Sequence, residues 1–252
     1  MSDPLAASPI FGGLPEALPL KRYGYQVLRH PGPPDAFLDL KEKFAAFLRE
    51  RLGAFCGKDF SGLRCETYHE FLGRHEVDHH AFIKATTRRV PSDWSAHPYL
   101  KTLLETASRH VGKPLRLYSG SLEFRVVRPG RDDNNPWHRD HWFSYFEPLV
   151  NVYLPLSGSY CDSSLQIVPF SHRWSDEEVV PAFRAGEGKT LKGGVLYSVP
   201  EIQTCSRPLQ GHRMDILPGD FALFSPRMVH GEGTNGSLET RFSFEFRLEV
   251  AL

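Results

Sequence analysis

The sequence predicts a mainly β domain, an antiparallel sandwich or barrel with helices packed outside it. Twenty prolines and 21 glycines are spread along the 252 residues, which is typical of many short elements joined by turns. Apolar residues recur at helical spacing in the first half, and from about Leu115 the period changes to the two-residue alternation of strands. We therefore expect a single domain over residues 1–252, with a helical N-terminal part (1–114) and a β core (115–250).

Two helices are predicted in the N-terminal part. The first lies within residues 30–53 and ends near Gly53. Its apolar residues recur at roughly helical spacing, at Leu38, Phe44, Ala45 and Leu48. The second runs over residues 95–111 and ends at Gly112. It has one apolar face, which predicts packing against the core through Leu100, Leu103, Leu104, Ala107 and Val111.

The alternation is clearest in the last predicted strand. Every second residue is apolar, at Phe242, Phe244, Phe246, Leu248 and Val250. The residues between them are polar, at Arg241, Ser243, Glu245, Arg247 and Glu249. One face of this strand is therefore expected to pack on a core. Residues 175–211 are charged and contain glycine, so we expect a long loop there that lies over one rim, as a lid does.

Composition limits the possible partners and the location. Lys and Arg together number 30, as do Asp and Glu, so no overall basic field exists to hold nucleic acid or an anionic membrane. The N-terminal residues lack the pattern of a signal peptide, and no apolar run is long enough to span a bilayer. The four cysteines show no CxxC spacing and are read as free thiols. We expect a cytoplasmic protein that acts on a small molecule.

Residues 75–79, His-Glu-Val-Asp-His, match the H-E-x-x-H motif of helical zinc proteases. On a helix this spacing places His75 and His79 on one face, with Glu76 as the base. The charged Asp78 inside the motif and the lack of a nearby third ligand weigh against that interpretation. The favoured interpretation is a polar, histidine-rich segment on the surface or on the substrate side.

A second histidine constellation lies in the β core. On an extended segment, residues i and i+2 point to the same side, so His138 and Asp140 can bind one ion together. The distant His230 lies in the run 217–231, which is read as a turn, an apolar strand and then the histidine, and it can supply a third ligand from a neighbouring segment. Two histidines and one carboxylate on one face of an octahedron leave three positions open, as non-haem Fe(II) oxygenases require.

Arg241 and Ser243 lie on one face of the last strand, one hairpin beyond His230. A guanidinium and a hydroxyl side by side suit the far carboxylate of a buried dicarboxylic acid. The alternative is that this face belongs to an edge strand and is simply wet. The nearby histidine hairpin favours the carboxylate-binding interpretation.

The sequence resembles the phytanoyl-CoA dioxygenase-like branch of the Fe(II)/2-oxoglutarate-dependent oxygenases. The matching pieces cover roughly residues 115–250 in the family's order: Arg128-Pro129-Gly130, Trp137-His138-Arg139-Asp140, Ser164 to Arg173, Pro218-Gly219-Asp220, Val229-His230-Gly231, Asn235 and Arg241-Phe242-Ser243. The segment from Ser164 to Arg173 is similar to the family's G-x-L-x-x-I-P-G-S-H pattern. Ser164 and Phe170 stand where glycines are usual, and His172 falls at a position that is structural in the family.

The resemblance implies a double-stranded β-helix (a cupin-like jelly-roll) as the core over residues 115–250. It also implies that His138, Asp140 and His230 bind Fe(II), and that Arg241, assisted by Ser243, holds 2-oxoglutarate. With O₂, such an enzyme oxidises a C–H bond and releases succinate and CO₂. In related halogenases a small residue replaces the carboxylate, so Asp140 favours hydroxylation or another oxidation.

The substrate prediction depends on polar and aromatic residues near the metal motif. His141 and Trp142 follow it directly, and Arg125, Asn151 and Tyr153 are expected to point into the barrel. Such a pocket suits a small polar metabolite, for example an amino acid, an aminoglycoside or a sugar-like natural product, better than a long acyl chain.

Two other classes of function remain open from the sequence. One is a jelly-roll protein that binds a metal or a ligand without turnover, since this fold hosts both binding proteins and enzymes. The predicted pair of Arg241 and Ser243 weighs against it, because a binding protein needs no site for a dicarboxylic cosubstrate. The other is a zinc protease that uses His75 and His79.

Overall fold

The computed structural model describes residues 8–119, 122–192 and 195–251. The helices of these residues are α1 (Pro19–Tyr23), α2 (Pro34–Cys56), α3 (Tyr68–His75), α4 (His79–Thr86) and α5 (Pro98–Val111). Short 3₁₀ helices cover Ser92–Ala96, Asp140–Trp142, Ser144–Phe146 and Ser171–Arg173. The strands are β1 (Tyr25–Leu28), β2 (Leu115–Leu117), β3 (Glu123–Val127), β4 (Val150–Ser157), β5 (Gln166–Ile167), β6 (Val179–Pro181), β7 (Thr190–Lys192), β8 (Val195–Tyr197), β9 (Ile202–Cys205), β10 (His212–Arg213), β11 (Phe221–Phe224) and β12 (Arg241–Val250).

The fold is mainly β with flanking helices, in the jelly-roll arrangement that was predicted. The main sheet has the order β1-β11-β4-β12-β2, with β3 also paired to β12, and its strand pairs are antiparallel. Strands β5 and β10 form a separate two-stranded antiparallel sheet.

Helix α2 packs its apolar face on the main sheet. Phe44 lies among three sheet phenylalanines, with its ring centroid 5.2–5.3 Å from those of Phe124, Phe242 and Phe244 in edge-to-face contact. All four rings are fully buried. Burying a phenylalanine contributes about 1.5–3 kcal/mol, so this cluster is a main reason why the sheet and the helix stay together.

Strand β12 is central, because it pairs with β4 on one side and with β2 and β3 on the other. Its phenylalanine face is turned to helix α2, because Phe242 and Phe244 contact Phe44, as the alternation predicted. The opposite face is the inner face of the jelly-roll, and Arg241 and Ser243 are buried on it. The interpretation of these residues as the wet face of an edge strand is therefore wrong.

Both predicted helices are present with shifted ends. Helix α2 continues through Gly53 to Cys56 and ends at Gly57, whose φ of 68° suits glycine. Leu38, predicted on the apolar face, is 57% exposed. Helix α5 begins at Pro98 rather than residue 95, because a 3₁₀ helix precedes it. It ends at Gly112 as predicted.

Two parts of the chain differ from the sequence-based expectation. The N-terminal part is not purely helical, because β1 pairs with β11 at one edge of the main sheet. Residues 175–211, which we call the flap segment, are not a plain loop. They contain two antiparallel strand pairs, β6 with β9 and β7 with β8, while residues 193–194 lie outside the described part.

The cysteines and the helix lengths also bear on the sequence-based predictions. All four cysteines are free thiols, as the sequence predicted. In the part of the chain that the structure describes, the helices are too short or too polar to cross a membrane.

Candidate metal centre

His138 and His230 are brought together by the backbone. The amide of each donates to the carbonyl of the other over 3.1 Å, so they form a directly opposed antiparallel pair. Opposed residues project their side chains to the same face. The two imidazoles consequently lie side by side, with ring centroids 4.2 Å apart.

The hydrogen bonds of the two imidazoles fix which nitrogen is available for a metal. Nδ1 of His138 lies 2.8 Å from the carbonyl oxygen of Pro136, and Nδ1 of His230 lies 2.9 Å from that of Met228. A carbonyl oxygen only accepts, so both Nδ1 atoms carry the proton and both Nε2 lone pairs are free. Burial, with His138 beside it, lowers the pKa of His230 to about 4, which keeps this imidazole neutral at pH 7.

Asp140 completes the group from two positions further along the chain. Arg139 between them is extended, with φ of −124° and ψ of 135°, so the side chains of His138 and Asp140 point to the same side. Oδ1 of Asp140 lies 3.5 Å from Nε2 of His138, and Oδ2 lies 3.9 Å from Nε2 of His230.

Two further side chains hold the carboxylate of Asp140. Asn151 on β4 and Arg247 on β12 both donate to Oδ2 over 2.9 Å. Burial alone would raise the pKa of Asp140, but the Arg247 guanidinium and the two histidines hold it well below its ordinary value. The carboxylate is therefore ionised, as a metal ligand must be. Arg247 lies on the same strand face as Arg241 but was not predicted as a site residue.

These three side chains fit Fe(II). Their ligand atoms lie within 4.8 Å of one another, and all three residues are buried. Two imidazole nitrogens and one carboxylate oxygen form the donor set of non-haem iron oxygenases. A structural zinc site would need a fourth protein ligand, and within the described residues this cluster has only three.

Arg241 and Ser243 form a second polar site on the inner face. Arg241 is 1% exposed, and its Nη1 donates to the carbonyl of Ser163 over 2.7 Å while its Nη2 donates to Asn134. The Tyr153 ring lies beneath the guanidinium, 5.9 Å from its carbon. Among the described residues, neither the Nε of Arg241 nor the Oγ of Ser243 has a hydrogen-bond partner. Buried polar atoms left unpaired in this way indicate a polar ligand.

The inner face next to these sites carries charged side chains. Arg125 on β3 lies opposite Ser243, and Glu123 lies opposite Glu245. Nε of Arg125 donates to Glu245 over 3.2 Å, and its Nη2 lies 3.6 Å from Glu123. The three side chains are 25–36% exposed, so they face open space rather than packed core.

His141 and Trp142 lie on the side of the flap segment. Nε2 of His141 donates over 2.9 Å to Asp176, which also accepts from Arg227 over 3.0 Å and from Arg139 over 3.3 Å. This one carboxylate ties the flap segment to both segments that carry metal-site residues. Trp142 packs against an apolar cluster formed by Val168, Trp174, Val179 and Val229.

The H-E-x-x-H interpretation is wrong for a physical reason. Helix α3 ends at His75, Glu76 adopts a left-handed conformation with φ of 54°, and α4 begins at His79. The two histidines thus do not share a helix face. His79 is buried, with Nδ1 3.1 Å from the Tyr68 hydroxyl and Nε2 3.8 Å from Asp133. Within the described residues, metal-ligating side chains cluster at His138, Asp140 and His230 instead.

The departures from the family's glycine pattern are absorbed locally. Phe170 keeps the left-handed backbone that glycine would supply, with φ of 68°. Ser164 is buried and donates its hydroxyl to the carbonyl of Met214 over 2.7 Å. His172 donates to the carbonyl of Lys21 over 3.0 Å, which fits a structural role.

The lack of a side chain at Gly231 allows the segments that carry His138 and His230 to lie close together. Its φ is 127°, and a Cβ there would lie 2.5 Å from the carbonyl oxygen of Pro136, the oxygen that orients His138. We expect Gly231→Ala to lower the free energy of unfolding by about 1–3 kcal/mol. We expect it to weaken metal binding by about tenfold or more, as loss of an outer contact does. Calorimetric titration with Co(II) and thermal melting measure the two effects.

Gly57→Ala is the matched control. Gly57 also has a positive φ, 68°, but a Cβ there would meet nothing within 4 Å. It should cost about 1–2 kcal/mol of stability through the backbone alone and leave the metal affinity unchanged. Equal metal affinities in Gly231→Ala and the native protein would show that the two histidine segments tolerate displacement.

The fold and the site define a 2-oxoglutarate-dependent non-haem iron oxygenase, with Fe(II) and 2-oxoglutarate as its cofactor and cosubstrate. The chain belongs to the phytanoyl-CoA dioxygenase (PhyH) family, whose pattern matches residues 20–243. No protein with curated annotation matches the chain.

Several solved structures share the fold. AviO1 from Streptomyces viridochromogenes Tue57 is 16% identical, with a TM-score of 0.56 and 91% of each chain covered. EvdO2 from Micromonospora carbonacea var. aurantiaca, complexed with 2-oxoglutarate, is 14% identical, with a TM-score of 0.53 and coverage of 96% of this chain and 93% of EvdO2. SnoK, described as a non-heme alpha ketoglutarate dependent carbocyclase from nogalamycin biosynthesis, is 16% identical, with a TM-score of 0.51 and coverage of 97% and 87%.

Proposed function

We propose that this chain oxidises a C–H bond of a small polar metabolite at a ferrous ion held by His138, Asp140 and His230. The observation that carries the proposal is the convergence of these three buried side chains. It is supported by the buried Nε of Arg241 and Oγ of Ser243, which have no hydrogen-bond partner among the described residues. When bound, Fe(II) with 2-oxoglutarate and O₂ supplies the oxidising chemistry, and succinate and CO₂ leave.

The chain's own residues bind 2-oxoglutarate and orient it. Arg241 is buried and fixed by Ser163 and Asn134, so its position is set before the cosubstrate arrives. We infer that its Nε–H and the Ser243 hydroxyl bind the distal carboxylate of 2-oxoglutarate. The Tyr153 ring beneath the guanidinium shields this end from water.

We infer that the substrate contacts the charged inner face. Of the five residues predicted from the sequence, Arg125 has its charged group on this face and open space in front of it. Asn151 and Tyr153 share the face but lie nearer the metal carboxylate and Arg241, respectively. His141 and Trp142 border the flap segment, which we propose closes over the substrate.

Three hydrogen-bonding charged side chains on this face suit hydroxyl and amino groups and do not suit a long acyl chain. SnoK comes from nogalamycin biosynthesis, which supports a natural-product metabolite as substrate. We propose a cytoplasmic location, since all four cysteines are free thiols.

Anaerobic addition of Fe(II) and 2-oxoglutarate to the protein should give the weak visible charge-transfer band of an iron-chelated keto acid. Fe(II) alone and 2-oxoglutarate alone are the controls, and neither should give the band. Screening polar metabolites for substrate-dependent succinate formation then identifies the substrate class. Absence of the band in a protein that binds Fe(II) with one-to-one stoichiometry would overturn the proposed function.

A further inference from the structure

The two oxygens of the Asp140 carboxylate have different surroundings. Oδ2 accepts two hydrogen bonds of 2.9 Å, one from Nη2 of Arg247 and one from Nδ2 of Asn151. Two donors use both lone pairs of this oxygen. Oδ1, which lies 3.5 Å from Nε2 of His138, remains available to a metal ion.

Arg247 is itself held in place by an aromatic ring. Its guanidinium carbon lies 3.6 Å from the centroid of the Phe146 ring, a close cation–π contact. The Arg247 side chain is 21% exposed, and among the described residues its buried Nε has no hydrogen-bond partner. The strand register also aligns it, because Arg247 on β12 lies opposite Asn151 on β4. Both donors to Oδ2 therefore come from paired positions of the same sheet.

We propose that Arg247, seated on Phe146, is a positioning residue that together with Asn151 restricts Asp140 to metal binding through Oδ1. This inference rests on the proposed function. An octahedral ion with three protein ligand atoms has three open positions. A carboxylate that bound through both oxygens would occupy a fourth position. Only two would then remain, the number that a chelating keto acid takes, and O₂ would have none.

The charge of Arg247 acts in the opposite direction from its hydrogen bond. A cation close to the site repels a divalent ion, so a purely electrostatic role predicts tighter metal binding when the charge is removed. A positioning role predicts weaker binding, since loss of an outer hydrogen-bond partner typically costs about 10–100-fold in metal affinity. The sign of the effect thus separates the two roles.

Calorimetric titration of the full chain with Co(II), together with the visible Co(II) spectrum, tests the proposal. Arg247→Leu should raise the Co(II) dissociation constant by about 10–100-fold, because the Asp140 carboxylate loses its fixed orientation. The visible spectrum should also change, because the freed Oδ2 replaces a water molecule on the ion. Arg247→Lys keeps a donor for Oδ2 and should recover part of the loss. Unchanged or tighter Co(II) binding in Arg247→Leu would overturn the proposal.

Two further variants keep the result interpretable. Arg74→Leu also removes a guanidinium stacked on a phenylalanine, Phe71, but on helix α3, and it should leave Co(II) binding unchanged. Asn151→Ala removes the other donor to Oδ2 and should weaken Co(II) binding in the same direction, so it tests the proposal even when Arg247→Leu fails to fold. Unchanged Co(II) binding in His230→Ala would overturn the proposed function itself. That result is distinct from failure of this inference alone.

Discussion

His230→Ala should abolish stoichiometric binding of Fe(II) to this protein. The imidazole is buried, neutral and directed at Asp140 by its hydrogen bond to the Met228 carbonyl. Its loss leaves one imidazole and one carboxylate, which cannot fill one face of an octahedron. We expect the Fe(II) dissociation constant to rise by at least about 100-fold, measured anaerobically by titration, because a ligand should matter more than its outer partners.

His75→Ala is the matched control for His230→Ala. His75 is the last residue of α3, and its ring is in tilted contact with that of Phe60, with centroids 4.9 Å apart. Its removal should leave one equivalent of Fe(II) bound with unchanged affinity. Loss of metal in His75→Ala together with full binding in His230→Ala would place the metal at the H-E-x-x-H segment and contradict the assignment.

The parts of the fold that depend on one-dimensional periodicity could be predicted from the sequence. Apolar and polar residues alternate over the ten residues of β12, and α5 has a continuous apolar stripe. Each pattern therefore predicts both the type of the element and its buried face. Strand β1 could not be predicted in this way, because it has four residues and all are half-buried. Its existence depends on the free edge of β11, which is formed about 190 residues later in the chain.

In the candidate site, too, the features that depend on local backbone conformation could be predicted, and those that depend on the tertiary fold could not. The spacing of His138 and Asp140 predicts a shared side because it needs only an extended backbone. The contact between Arg247 and Asp140 could not be predicted, because Asp140 lies on a separate segment that only the folded chain brings beside β12. The zinc-site hypothesis for the H-E-x-x-H segment was wrong because the backbone conformation does not follow the spacing. The helical spacing was present, but the left-handed Glu76 ends the helix inside the motif.

Arg241→Met should chiefly raise the concentration of 2-oxoglutarate that the protein requires. Methionine fills much of the buried volume but supplies no charge and no donor. Removal of one partner from a buried, hydrogen-bonded charge pair costs about 2–4 kcal/mol, so the dissociation constant of 2-oxoglutarate should rise by roughly 30–1,000-fold. Titration of the anaerobic Fe(II)–keto acid band with 2-oxoglutarate measures this change.

The effect should be specific to the cosubstrate, because the Arg241 guanidinium is held by hydrogen bonds to Ser163 and Asn134, which are not metal-site residues. Fe(II) affinity without 2-oxoglutarate should therefore match that of the native protein. Ser243→Ala, which removes only a neutral hydroxyl, should give a smaller rise of about 3–10-fold. An Arg241→Met protein that lost Fe(II) affinity while keeping its native affinity for 2-oxoglutarate would contradict the assignment and make Arg241 a support of the metal centre.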